Sequence, residues 1–448
     1  MKLKVFYATD GDCLLLTSSD DHHALIDGGR AGSFRTQTFE TLRQLAKREE
    51  VLDLVVVSHI DADHISGILW LMEVVEKWTV FDFQVTEGGN PGLREPKPDR
   101  PPTIKKLWHN SWRAQLEDLA EPIEAFATQV TDVRDAAVLD ASSLPPAALD
   151  MFDAVQELAQ SIPEGVELRR IVDEGTPIPR NKPFKELVLL RDPPHVEKLG
   201  KTSLTVIGPG QKHLEALRDE WRAWLADKPA GGQLTPTSQS GDGRAATVVS
   251  AALGAGELAS ALAAEHARAE ELATSLVNAA KMIEEADPRK VTPPNRASIT
   301  LLAEERGRTC LLTGDAAEEE IMEGLEAAGR IVDGRFSCNV LKVQHHGSEF
   351  NLSRRFAERV LADHYVFCGD GAHHNPDPSV VKTIVETRLD VDPGPFTLWF
   401  NCSPARTAPS KREAMDAAIR EAHTAADSHP EVEVKVLDDD EAFFEITV

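Results

Sequence analysis

Cysteine is scarce and scattered. Five thiols, Cys13, Cys310, Cys338, Cys368 and Cys402, are spread over 448 residues with no Cys-x-x-Cys spacing, which excludes a disulfide-framed module and a thiolate zinc knuckle. They are expected to be small buried apolar groups. Positive charge is also in short supply: 48 Lys and Arg stand against 74 Asp and Glu, a net −26. Nonspecific coating of nucleic acid depends on Lys and Arg releasing counterions, so that class of function is excluded. A local basic groove, or a polyanionic substrate held chiefly by metal ions, remains compatible. Long apolar runs are missing too. The opening MKLKVFYATDGD lacks the apolar stretch of a secretory signal, and no uncharged run approaches bilayer length, so a cytoplasmic protein with no membrane partner is expected. No internal repeat of fixed period is found.

What is present is a globular composition, 42% hydrophobic and 27% charged. The length suggests roughly three domain-sized pieces, or one large domain carrying long insertions. Residues 1–110 alternate short strands with helices: Lys2 to Tyr7, Cys13 to Thr17, His23 to Ile26 and the β-branched run Leu52 to Val57 read as strands, Thr38 to Arg48 and Ile65 to Trp78 as helices. Residues 111–200 turn acidic and helical, with Arg113 to Ala127 and Ala147 to Ser161 the clearest segments, and read as an insertion. Residues 201–226 restore a strand, Thr202 to Ile207, and a helix, His213 to Leu225. Residues 227–294 read as a Gly/Ser/Thr/Pro-rich linker followed by an Ala/Glu-rich helix, Ala251 to Ala286. Residues 295–448 are strand-rich again. Two such halves imply two packed sheets with helices outside.

His59-Ile60-Asp61-Ala62-Asp63-His64 crowds four ligand-type side chains into one strand-to-helix loop. Carboxylates pressed together repel, and a divalent cation removes the conflict. Imidazole and carboxylate without thiolate favour Zn²⁺, Mn²⁺ or Fe. The competing explanation is an acidic helix cap, which accounts for one Asp and for neither His. Further along, Thr313-Gly314-Asp315 places a carboxylate at a strand end, and Gln344-His345-His346-Gly347-Ser348 places paired imidazoles at another. A turn or cap explains Asp315 equally well when it is read alone. Asp27 before Gly28-Gly29, His109 in Trp108-His109-Asn110, and His373-His374 complete the candidates; each also reads as an ordinary turn, packed or exposed residue. Lys342, Arg354 and Arg355 are candidates for a basic rim, or simply solvated charges.

In this order, Asp27, His59-x-Asp61-x-Asp63-His64, His109, Thr313-Gly314-Asp315 and His345-His346-Gly347-Ser348 resemble the metallo-β-lactamase superfamily. The nearest resemblance is to the hydrolase domain of ComEC-type competence proteins and their stand-alone soluble relatives, with Gly11-Asp12-Cys13 and Asn295 to Leu301 adding to the match. The resemblance implies an α/β fold: an αβ/βα four-layer sandwich with helical insertions. It implies two divalent metal ions, Zn²⁺ or Mn²⁺. His59, Asp61 and His109 would hold the first, Asp63, His64 and His346 the second, and Asp315 would bridge them. Which of His345 and His346 ligates is left open. Asp27 and Ser348 would support the ligands from behind.

Such a pair of cations lowers the pKa of a shared water, so the expected nucleophile is a metal-bridged hydroxide. Asp63 and Asp315 would carry the catalytic metals, and His345, Ser348 or His374 would contact the phosphate or protonate the leaving oxygen. The leading expectation is a phosphodiesterase acting on DNA. Its competitors are hydrolysis of a small ester, cyclic nucleotide or phospholipid head group, and a partner-regulated effector of a bacterial defence-type system that binds protein through its helical insertions.

Overall fold

The computed structural model describes residues 1–121, 161–226 and 293–448. Two sheets form. The first has the order β14-β1-β2-β3-β4-β5, from Phe443–Thr447, Lys2–Phe6, Leu14–Thr17, His23–Ile26, Leu52–Val57 and Leu107–His109. In the second, β13 (Val432–Val436), β12 (Phe396–Phe400), β11 (Val360–Phe367), β10 (Phe336–Lys342), β9 (Arg308–Leu312), β8 (Thr300–Glu305), β7 (Thr202–Gly208) and β6 (Val196–Leu199) lie side by side. Strands β3, β4 and β5 are mutually parallel, as are β9 to β12. Parallel strands end at one edge, and the loops leaving that edge carry the chemistry.

The β-branched composition of β4 follows from burial on both faces. Leu54 and Val56 pack between the sheets against the layer that contains Val340 and Val366. Val55 and Val57 face outward, beneath helices α1 (Phe39–Lys47) and α2 (Ala62–Thr86). The outer face of the second sheet, with Leu341, Phe367 and Phe400, lies under helices α4 (Glu318–Ala327), α5 (Arg354–Arg359), α6 (Pro378–Val391) and α7 (Arg412–Ser428); α3 is Gln211–Ala226. The result is the expected four-layer αβ/βα sandwich. All five cysteines are buried and unpaired, as the composition suggests.

The chain divides into two compact units. The first takes Met1–Gln115, Ser161–Leu217 and Val291–Val448 and holds both sheets; the second takes Leu116–Gln160 and Arg218–Lys290. Within the second, Arg218 lies 2.9 Å from Glu117. Residues 161–200, read from composition as part of an insertion, belong to the first unit. Asn181 explains part of this: its side chain accepts from the His109 amide at 2.8 Å and donates to the His109 carbonyl at 2.9 Å. The linker, the Ala/Glu-rich helix and most of the two acidic helices expected from sequence lie outside the described residues. Among the described residues, no helix is long and apolar enough to cross a membrane.

Helix α2 is longer than its apolar pattern, because it begins at Ala62 within the ligand loop and runs on to Thr86 through a partly exposed polar end. Its first turns dock on the Asp27-Gly28-Gly29 loop, with Gly28 N–H donating to the His64 carbonyl at 2.8 Å and Gly67 N–H to the Gly29 carbonyl at 2.9 Å. A β-carbon at Gly67 would stand 2.1 Å from the Gly28 carbonyl oxygen. Two glycines are therefore what lets this loop bring Asp27 against the helix.

Candidate metal centre

Asp61 occupies the residue before α2 in extended conformation, but its side chain does not cap the helix. The Ala62 amide is capped by Ser161 Oγ at 3.1 Å instead. Released from capping, the Asp61 carboxylate lies 3.3 Å from His59 Nε2. The helix-cap explanation of this aspartate is thereby removed.

Asp63 and His64 occupy the first turn of α2, Asp315 lies just after β9, and His346 follows β10. Their ligand atoms converge. His64 Nε2 is 3.3 Å from His346 Nε2, 3.5 Å from Asp63 Oδ2 and 3.4 Å from Asp315 Oδ2. His346 Nε2 is 3.0 Å from Asp63 Oδ2 and 3.2 Å from Asp315 Oδ2. Beside this group, His59 Nε2 is 3.9 Å from the same Asp315 oxygen. His59, His64 and Asp315 form one grouping able to hold a metal, and Asp12, His64 and His346 form another.

Hydrogen bonds behind the rings decide which nitrogen faces the centre. Asp27, fully buried with φ at 56°, accepts from Ser58 N and Ser58 Oγ, both at 2.7 Å. Since the Ser58 hydroxyl donates to Asp27, it accepts from His59 Nδ1 at 3.0 Å. His64 Nδ1 donates to Asp27 Oδ2 at 3.0 Å, and His346 Nδ1 to the Cys368 carbonyl at 2.8 Å. All three Nε2 atoms are thus turned inward, the arrangement that carboxylate and carbonyl partners impose on metal-ligating histidines. His59 Nε2 is buried without a hydrogen-bond partner.

The charges in the cluster answer one another. Burial alone would lower the pKa of His64 and of His346. In both, nearby carboxylates, Asp315 first, reverse that and raise it well above the ordinary value. Burial would raise Asp63 and Asp315, yet the facing imidazoles hold both well below the usual carboxylate range. Without a metal, protons on the imidazoles do the neutralising. A divalent cation is the natural substitute.

His109, the last residue of β5 and paired in register with Val57, is fully buried. Burial first, then Arg180, pushes its pKa down to about 3, against an opposing backbone hydrogen bond with Gly165. A neutral imidazole can act as a ligand, but His109 falls outside the two groupings above. His345 is turned away from the inner cluster by Asn351, whose Oδ1 lies 2.7 Å from Nδ1, while its Nε2 meets Asn295 Nδ2 at 3.3 Å and stands 4.0 Å from Asp315 Oδ2. Of the two adjacent histidines, His346 is the one at the inner cluster. Ser348 is buried, and its Oγ accepts from the Phe350 amide at 3.4 Å. His373 and His374 are exposed, both with positive φ, on a loop that runs beside His346: a β-carbon at Gly369 would lie 3.3 Å from the His346 β-carbon.

Lys342 corrects an expectation. It is fully buried and contributes nothing to a rim; its ammonium lies 2.5 Å from Asp12 Oδ2, 3.4 Å from Asp315 Oδ1 and 3.0 Å from the Gly314 carbonyl. The end of β10, Val340 to Lys342, is buried throughout, and from there even a long side chain stays out of solvent. Arg354 is exposed but engaged by Glu358, Glu386 and Asp390. Asp12, Ser58, Ser298 and Asn351 have no role assigned from sequence; of these, Asp12 and Ser298 lie within segments that add to the resemblance, Gly11-Asp12-Cys13 and Asn295 to Leu301.

The donor set fits a metal. Zinc bonds of about 2.0–2.1 Å in a tetrahedron require ligand atoms about 3.3 Å apart, and the Nε2 atoms of His64 and His346 lie 3.0–3.5 Å from each other and from the Asp63 and Asp315 carboxylates. Residues 7–76 match the family model described as the metallo-beta-lactamase superfamily, whose members are mostly metal-dependent hydrolases. The stretch runs from just after β1 to the middle of α2 and includes His59, Asp61, Asp63 and His64. The two-sheet architecture agrees with that fold. No curated protein matches the chain.

Proposed function

We propose that this chain is a dinuclear metal-dependent phosphodiesterase whose leading substrate class is DNA. The observation that carries the reading is the convergence of Asp63, His64, Asp315 and His346, with His59 and Asp61 alongside, at one edge of the sandwich. In this reading one cation would be held by Asp63, His64 and His346 and a second by His59, Asp61 and His109, with Asp315 Oδ2, which lies 3.2 Å from His346, 3.4 Å from His64 and 3.9 Å from His59, available to both. Bound divalent cations would supply the Lewis acidity that turns water into a nucleophile near neutral pH and would neutralise charge growing on a phosphoryl group.

The chain's own residues supply the rest. Asp27 and Ser58 hold His64 and His59 in the tautomer that presents Nε2. His345, fixed by Asn351 and placed 4.0 Å from Asp315, is positioned to hold a proton beside the reacting group. His374, on the exposed loop next to His346, would contact a phosphate from the solvent side.

A second reading, hydrolysis of a small phosphate ester or cyclic nucleotide, draws support from the burial of Lys342 and the engagement of Arg354 by three carboxylates. Both weaken a basic track for a long polyanion.

Metal analysis of the purified protein, followed by assays with Zn²⁺ and with Mn²⁺ on single-stranded, double-stranded and plasmid DNA and on cyclic nucleotides, separates the readings. DNA cleavage that chelation abolishes is the expected result. Turnover confined to small esters would transfer the assignment to the second reading, and protein that takes up no metal would end both.

A further inference from the structure

Five carboxylates stand in or against the centre: Asp12, Asp27, Asp61, Asp63 and Asp315. Among the described residues a single ammonium, Lys342, enters this group from the end of β10, fully buried. The balance leaves four negative charges, which two divalent cations would cancel. A lysine is an expensive residue to desolvate, and it survives there only if its partners are fixed. Its partners are specific. Nζ takes Asp12 Oδ2 at 2.5 Å and Asp315 Oδ1 at 3.4 Å.

The two oxygens of Asp315 therefore have different surroundings. Oδ1 faces Lys342, whereas Oδ2 faces His346 at 3.2 Å, His64 at 3.4 Å, His59 at 3.9 Å and His345 at 4.0 Å. Asp12 extends the same device to a ligand: one of its oxygens meets Lys342, and the other lies 3.3 Å from His346 Nδ1. The grouping of Asp12 with His64 and His346 is not a third metal site. Its cation is already the ammonium, and the nitrogens nearest Asp12 are the Nδ1 atoms, whose protons go to Asp27 and the Cys368 carbonyl.

We propose that Lys342 is a positioning residue of the metal centre: it occupies Asp315 Oδ1 so that Oδ2 alone is offered to both metal positions, and through Asp12 it steadies His346. This rests on the dinuclear reading above. The role is electrostatic and geometric, and Lys342 never touches substrate.

The test compares wild-type protein with Lys342→Met/Asp12→Asn, which removes one buried charge of each sign and so leaves the net charge of the centre unchanged. Zinc affinity is measured by chelator competition, stoichiometry by native mass spectrometry, and ligand geometry by the visible spectrum of the cobalt-loaded protein. In a double variant with wild-type circular dichroism, zinc affinity should fall about 10- to 100-fold and the cobalt spectrum should change. Wild-type affinity, stoichiometry and spectrum in that folded variant overturn the proposal. If the double variant does not fold, a crystal structure of the metal-soaked wild-type protein decides. Lys342 Nζ still on Asp315 Oδ1 supports the role, and both Asp315 oxygens on metal refute it. Wild-type protein that binds no zinc or cobalt would instead bring down the dinuclear reading, and this inference with it.

Discussion

Gly11 lies against the backbone of Asp63 so closely that a β-carbon there would stand 1.6 Å from the Asp63 carbonyl oxygen. A turn in the first sheet and the first turn of α2 are therefore in direct backbone contact, and the absence of a side chain at residue 11 sets where Asp63 sits. Gly11→Ala must push the ligand turn away, at a cost of about 1–3 kcal/mol for an overpacked site. Gly32→Ala, where a β-carbon meets nothing within 4 Å, should be neutral. Melting curves and zinc content of the two variants test this; loss of neither in Gly11→Ala would show that the turn is free to shift.

His345 and His346 should separate binding from turnover. His346→Ala removes a member of the inner cluster and should cost most of the metal at its position. His345→Ala leaves that cluster intact, so metal content should stay near wild type while kcat falls roughly 10²-fold or more, the usual scale for a lost proton-transfer group. Equal metal loss in the two variants would contradict the assignment.

Asp27→Asn keeps the shape of the residue but removes one acceptor that Ser58 and His64 share. The amide must turn a donor toward one of them, and His64 is no longer held firmly with Nε2 inward. Zinc affinity is expected to fall about 10- to 100-fold, as for other groups that orient a metal-bound histidine. Isothermal titration gives the number directly, and an unchanged affinity would remove Asp27 from the supporting network.

Acidity should act on the metal-free protein in a defined window. His64 and His346 have folded pKa values above 6.5, so the stability they contribute is complete below pH 6.5 and is lost as pH rises through their folded values. Asp63 and Asp315 have folded values below 3.8, so their contribution is present above pH 3.8 and is lost as pH falls through those values. The cluster therefore favours the chelated protein most between pH 3.8 and 6.5, and above that range its stability should decline while zinc affinity climbs, because the metal no longer competes with protons. Denaturant titrations with excess chelator across pH 5 to 9 measure the first trend. A metal-free stability that rises above neutrality would contradict it.

Much of the centre is legible in the sequence because its ligands are clustered where strands stop. His59 to His64 lie in one loop, and Thr313-Gly314-Asp315 and His345-His346 each follow an apolar run. The parallel strands β3, β4, β9 and β10 then deliver them to one edge. Other elements are hard to read for physical reasons. Strand β5 has three residues and no period to detect; β6 alternates exposed and half-buried residues at a sheet edge. Lys342 is misleading because a charged residue at the end of an apolar strand is ordinarily solvated, and only the positions of Asp12 and Asp315, 330 and 27 residues away in sequence, make its burial tolerable. Ser58 and Asn351 act through hydrogen bonds that leave no pattern at all.

His64 and His346 lie 282 positions apart and descend from different sheets. Neither half of the sandwich owns Asp63, His64, Asp315 and His346 together. An ion has no full grip until the halves have closed on each other, so metal uptake would mark completed assembly, and the free metal concentration would set how strongly closed chains outnumber open ones.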